Sequence, residues 1–260
     1  MQAQRPRKRF GQHFLHDPAI IGRIVRAINP RPQEHVVEIG PGRGALTAAL
    51  LEHCAHLDVI ELDRDLIPVL KRLASAAGRL TIHQADALQF DFATLAGDGR
   101  PLRIAGNLPY NISTPLLFHL LSYAALIRDM HFMLQKEVVE RMAAQPGNSA
   151  YGRLSVMIQY RCLVADLFHI GPGAFMPPPK VESAFVRLIP HATLPHTAQD
   201  EGHFEKLVKQ AFAYRRKTLR NALKGLADAA DLSAAGIDPG QRPETVGVER
   251  YVALSNRLNG

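Results

Sequence analysis

The tetrapeptide Asn107-Leu108-Pro109-Tyr110 brings together residue types that can make a poor nucleophile react. The lone pair of an exocyclic aromatic amine is delocalised into its ring, so the amine attacks an electrophile weakly. Acceptors placed at its two hydrogens favour a pyramidal nitrogen with a localised lone pair. The side-chain oxygen of Asn107 and a backbone carbonyl such as that of Leu108 can act in this way, stabilising charge where it develops. No strong base is required, because the amine proton becomes acidic as the nitrogen gains a substituent. Tyr110 offers a flat face on which an extruded base can stack. An ordinary turn also accommodates Asn-Leu-Pro-Tyr, so its meaning depends on the residues that precede it.

The stretch Glu38-Ile39-Gly40-Pro41-Gly42-Arg43-Gly44-Ala45 could form a backbone cradle, since glycines turn sharply and let a ligand approach the main chain. Glu61 lies nineteen residues after Gly42, near the spacing of a carboxylate that binds a ribose diol. Gly40-x-Gly42-x-x-Ala45 alone also fits the loose dinucleotide fingerprint, leaving NAD, S-adenosyl-L-methionine (SAM) and a structural turn open. Glu38 and Gly44 complete a Glu-x-Gly-x-Gly-x-Gly form that resembles motif I of class I methyltransferases. Asp86 follows a third strand, where a carboxylate can accept from an adenine amine. SAM carries no pyrophosphate, so its loop need not open a phosphate-binding helix. The sequence has no constellation suited to hydride transfer.

Such side chains have to be carried by regular structure. Strands are predicted over 36–39, 57–62, 80–84, 102–105 and 130–134, with helices over 45–54 and 66–77. Their alternation predicts an α/β fold with a mostly parallel sheet covered on both faces. The apolar stretches 162–170 and 184–189 are joined by a Gly/Pro-rich segment that suits no parallel crossover, so they predict an antiparallel edge. Residues 190–200 read as a linker. Beyond it Phe204, Leu207, Val208, Ala211 and Phe212 fall at helical spacing. The expected organisation is a basic arm over 1–16, a SAM-binding catalytic domain over 17–190 and a small all-α C-terminal domain over 200–260.

The 31 Lys and Arg outnumber 24 Asp and Glu, for a formal charge of +7, which favours a polyanionic partner. The excess gathers in two clusters: Arg5, Arg7, Lys8 and Arg9 at the start, and Arg215, Arg216, Lys217, Arg220 and Lys224 after the helix at 204–212. Such residues can contact phosphates without reading sequence. Two cysteines, Cys54 and Cys162, make no disulfide framework and suit a reducing cytoplasm. Close histidine pairs lack the partners of a zinc set, so no metal is expected. The apolar stretch 116–127 is too short to span a bilayer, and no membrane partner is expected.

Taken in order, the motifs resemble the ribosomal RNA adenine dimethyltransferase family over nearly the whole chain. They are Gly11-Gln12-His13-Phe14-Leu15, the glycine turn, Asn107-Leu108-Pro109-Tyr110-Asn111-Ile112, Phe175-x-Pro177-Pro178-Pro179-Lys180-Val181 and Arg215-Arg216-Lys217-Thr218-Leu219-Arg220-Asn221. The resemblance implies a class I SAM-dependent methyltransferase fold, Rossmann-like. Its substrate would be the small ribosomal subunit, where two adjacent adenosines near the 3′ end of 16S rRNA receive N6,N6-dimethylation, and the enzyme would be a monomer. It also implies that His13 and Leu15 flank the methionine part of SAM, that Gly40 and Gly42 line its centre, and that Glu61 holds the ribose hydroxyls and Asp86 the adenine. Asn107 would serve cofactor and target alike, and Phe175 would stack on the target base opposite Tyr110. The family more often has Asn where His13 stands, and protonation of an imidazole there would make SAM affinity depend on pH. The alternatives are a large-subunit rRNA or DNA adenine-N6 methyltransferase, and a ribosome-assembly factor acting mainly by binding.

Overall fold

The structure, a computed structural model, describes residues 13–214 and 216–260. By chain order the elements are β1 (Phe14–Leu15), α1 (Pro18–Ile28), β2 (His35–Ile39), α2 (Ala45–Leu51), β3 (Leu57–Glu61), α3 (Ile67–Ala77), β4 (Leu80–Gln84), β5 (Leu102–Asn107) and α4 (Ser113–Leu121). There follow β6 (Ile127–Gln135), α5 (Lys136–Ala143), α6 (Arg153–Arg161), β7 (Cys162–Ile170), β8 (Phe175–Met176) and β9 (Ser183–Pro190). The last helices are α7 (Glu201–Ala213), α8 (Leu219–Ala222), α9 (Ala229–Ala234) and α10 (Val248–Asn259).

One sheet has the order β4-β3-β2-β5-β6-β9-β7. From β4 to β6 all pairs run parallel, and β9 runs antiparallel to β6 with Gln135 opposite Ser183. The α/β reading and its antiparallel edge therefore hold. β2 and β3 are buried along their whole length, as expected of parallel strands covered on both faces. Strand order reverses between β2 and β5, and such switch points open a crevice at the strands' carboxyl ends. Local chemistry sets the boundaries. Asp17 accepts from the backbone N–H groups of Ala19 and Ile20, with Pro18 in the first helical position, so α1 starts there. α2 stops at Leu51, short of the predicted 54, where the Arg79 guanidinium donates to the carbonyls of Leu51 (2.9 Å) and Cys54 (3.3 Å).

A buried ion pair fixes β5. Arg103 donates through Nε to Asp129 Oδ1 at 2.9 Å and through Nη2 to the carbonyl of Ile28 at 2.7 Å. The end of α1 is thereby tied to adjacent strands of the sheet. A second, two-stranded sheet pairs β1 with β8, with Phe14 opposite Met176 and Leu15 opposite Phe175. Contacts so far apart in the chain leave no local trace in sequence.

Two compact units emerge: the described residues up to Val139 with Ala165–Pro190, and Glu140–Val164 with His191–Gly260. Residues 140–164, expected within the catalytic domain, thus belong with the C-terminal helices. The reason is apolar burial: Tyr151, Val156 and Tyr160 share a core with Phe204, Leu207, Val208 and Tyr251. The expected linker is also bound down, since Asn256 Nδ2 donates to the Thr197 carbonyl at 2.9 Å and the Gln199 N–H to Asn256 Oδ1 at 2.8 Å.

Candidate active site

At the switch point Ile39 pairs with Gly106, so the glycine turn after β2 and the Asn-Leu-Pro-Tyr segment after β5 leave the sheet side by side. Both line one cavity of about 190 Å³, together with His13, Leu15, Glu61 and Asp86. Gly106 permits this closeness, because a Cβ there would stand 2.3 Å from the Ile39 carbonyl oxygen. Gly42 has φ +58°, and a Cβ on it would press to 3.0 Å from the Phe14 ring.

The Gly42 N–H donates to Glu61 Oε2 at 3.2 Å and the Asp63 N–H to Oε1 at 2.8 Å. These bonds hold the buried carboxylate rigid, and its remaining lone pairs can accept from two hydroxyls. Burial raises the Glu61 carboxyl above its ordinary range, with the backbone donors of Asp63, Gly42 and Leu62 opposing the effect and the charge of Asp63 adding to it. Glu38, behind the turn, accepts from Thr47 Oγ1 at 2.6 Å. Burial pushes it up to about 8, the Thr47 bond opposing and the Glu61 charge adding. Asp86 Oδ1 accepts the Leu88 N–H at 3.0 Å, which orients the carboxyl while Leu62, Ala87 and Leu88 supply apolar lining. A carboxylate for a diol, another for an amine, apolar walls and a side-chain-free glycine turn fit the ribose, adenine and bulk of SAM.

In the lining of the same cavity, Asn107 Nδ2 donates to the His13 carbonyl at 2.7 Å. This bond fixes the amide plane, so Oδ1 is presented away from His13 as an acceptor. The Leu108 N–H is tied to the Met133 carbonyl at 3.3 Å. The hydroxyls of Tyr110 and Ser183 share a hydrogen bond of 2.8 Å. His13 donates from Nδ1 to the Pro177 carbonyl at 2.7 Å, and its ring lies against that of Tyr110, with centroids 5.9 Å apart and planes at 28°. Ser183 carried no motif in the sequence; only the long-range register of β9 brings it here.

Phe175 does not stand where the family resemblance puts it. It is 2% exposed, does not line the cavity, and belongs to the core cluster with Leu15, Ile170, Ala174 and Phe185. Pairing of β8 with β1 turns its ring into that core, and the aromatic ring found against Tyr110 is that of His13.

In the C-terminal unit Arg216, Lys217, Arg220 and Lys224 are exposed. Lys217 Nζ lies 4.6 Å from the centroid of the exposed Tyr214 ring, a pairing of cation and flat apolar face suited to nucleic acid. Arg5, Arg7, Lys8, Arg9 and Arg215 lie outside the described residues. Among the described residues, no group of three His, Cys, Asp or Glu is placed to hold a metal ion, and no helix is long and apolar enough to cross a membrane.

A parallel sheet with a glycine turn and acidic strand ends meeting an Asn-Leu-Pro-Tyr segment at its switch point defines a class I SAM-dependent methyltransferase. The profile of the ribosomal RNA adenine dimethylase family matches residues 3–260, and the chain belongs to that family. It is similar to Ribosomal RNA small subunit methyltransferase A of Pseudomonas aeruginosa, 59% identical over 254 residues, or 98% of this chain and 95% of that one. It is likewise similar to the protein of the same name from Chromobacterium violaceum, 60% identical over 254 residues, or 98% and 96%. Among solved structures, a dimethyladenosine transferase from Plasmodium falciparum aligns with TM-score 0.80 at 26% identity, covering 93% of this chain and 96% of that one. The 23S rRNA methyltransferase ErmE aligns with TM-score 0.75 at 25% identity, covering 95% and 100%.

Proposed function

We propose that this enzyme dimethylates N6 of two adjacent adenosines near the 3′ end of 16S rRNA in the small ribosomal subunit. The observation that carries this reading is the convergence of Asn107, Leu108 and Tyr110 on the cavity that also holds Glu61, Asp86 and the glycine turn. Relatives at 59–60% identity over almost the full chain carry the small-subunit name, which favours that substrate over the large subunit.

Glu61 would hold the ribose hydroxyls of SAM, Asp86 its adenine amine, and His13, Leu15, Gly40 and Gly42 its remaining contacts. Bound there, SAM supplies an electrophilic methyl on sulfonium sulfur. The target adenine leaves its stack and lies on Tyr110. Asn107 Oδ1 and the Leu108 carbonyl accept from the two N6 hydrogens and localise the lone pair, while Pro109 stiffens the turn that carries them. The lone pair forms the N–C bond as the donor C–S bond breaks with its electrons left on sulfur, and the amine proton passes to water. Arg216, Lys217 and Arg220 would contact phosphates, and Arg5, Arg7, Lys8, Arg9 and Arg215 are cations that could do the same. The enzyme would act as a monomer. The site of action is the cytoplasm, where the substrate is made.

Transfer from labelled SAM to small subunits lacking the modification, followed by nucleoside mass spectrometry, tests this. Dimethyladenosine at adjacent positions is expected. Label confined to large-subunit RNA or DNA would replace the substrate, and no label in any nucleic acid would remove the reading.

A further inference from the structure

The Tyr110 ring is held more tightly than a stacking platform requires. Its hydroxyl is bound to Ser183, and His13, itself anchored on the Pro177 carbonyl, lies against the ring. Ser183 is 1% exposed and cannot meet a substrate, so any effect it has on the reaction passes through Tyr110.

Dimethylation makes unequal demands on the site. The first transfer acts on an amine with two N–H bonds, which can engage both Asn107 Oδ1 and the Leu108 carbonyl. Its product, N6-methyladenosine, has one N–H, so one of those hydrogen bonds is gone before the second transfer begins. Each transfer forms one N–C bond from the N6 lone pair, breaks one donor C–S bond with the pair left on sulfur, and releases one N–H proton to water. The chemistry repeats, but the second base is held by one polar contact fewer. What then keeps its nitrogen in line is the ring beneath it.

We infer that Ser183 is a positioning residue for the second methyl transfer, locking the Tyr110 ring so that the singly methylated base stays aligned with one hydrogen bond fewer. This inference rests on the adenine-N6 reading above. It assigns to β9 a part in product identity, since dimethyl rather than monomethyl adenosine depends on the ring being fixed. A residue that merely supported the fold would slow both transfers alike.

Single-turnover assays with unmodified small subunits and excess SAM read the two steps separately, as adenosine, N6-methyladenosine and dimethyladenosine over time. In Ser183→Ala the ratio of second to first rate constants should fall about fivefold, the worth of one ordinary hydrogen bond, and N6-methyladenosine should accumulate. Tyr110→Phe keeps the ring and removes the same bond from the other side. It should shift the ratio similarly, without adding to Ser183→Ala in the double variant. Ser183→Thr, which retains a hydroxyl, should restore dimethylation. Equal slowing of both steps, an unchanged ratio, or a shift in Ser183→Ala that Tyr110→Phe does not share would overturn the inference. If Ser183→Ala fails to fold, Tyr110→Phe alone decides. A wild-type enzyme that makes no dimethyladenosine overturns the underlying reading instead, which keeps the two failures distinct.

Discussion

Asn107 illustrates how one side chain can be both pinned and exposed to chemistry. Its Nδ2 is spent on the His13 carbonyl, which fixes where Oδ1 can act. Asn107→Ala should lower kcat by roughly 10²–10³, the usual effect of removing one preorganised polar group, and cost only about 1 kcal/mol of stability. Turnover and thermal melts on the same preparation check this, and normal turnover would remove Asn107 from the mechanism. Glu38 is a different case, because its environment favours the neutral acid. Its carboxyl stands at about 8 in the fold against an ordinary 4.5, so the folded state holds a proton that the unfolded chain releases. That contribution is whole below about pH 4.5 and is lost as pH rises through about 8. Glu38→Gln keeps an acceptor for Thr47 and removes the titration. Between about pH 5 and about pH 9 the wild type should therefore lose more melting temperature than the variant; parallel curves would argue against a buried protonated Glu38.

The elements matter here through how closely they approach one another. β2 and β5 meet where Gly106 faces Ile39, and the site exists because no side chain intervenes. Gly106→Ala would drive a methyl into backbone that cannot step aside. Destabilisation of about 1–3 kcal/mol is expected, with activity falling further than stability because Asn107 is the next residue. Chemical denaturation beside kcat measurement tests this, and an alanine variant with wild-type activity would show that the strand ends can spread. The Arg103–Asp129 pair, with the α1 carbonyl that Arg103 also holds, braces the same strand away from the site.

For the whole molecule, the charge of +7 becomes informative once its location is known. Arg216, Lys217 and Arg220 are exposed around α8, in the C-terminal unit. If they contact phosphate, replacing all three with alanine should weaken RNA binding at low salt and flatten the slope of log K against log salt by about one for each cation removed from a phosphate. SAM binding, measured by calorimetry, should be unaffected. An unchanged salt slope would mark the cluster as a solvated surface.

The alternation of strands and helices, the glycine turn, the acidic strand ends and the Asn-Leu-Pro-Tyr segment were all legible before any fold was known. Each is written in consecutive residues or a regular period, and in a parallel sheet local order fixes which strand ends can carry chemistry. The partners of those residues were not legible. Phe175 reads as a stacking ring in its motif, yet pairing of its strand with the distant β1 buries it. Ser183 carries no signal, yet the register of β9 sets its hydroxyl on Tyr110. Residues 140–164 follow the core in sequence but pack with the C-terminal helices, because Tyr151, Val156 and Tyr160 bury their apolar surface there. These outcomes were settled by folding in three dimensions, since burial and hydrogen bonding depend on which surfaces meet, and contacts between distant segments leave no period in the chain.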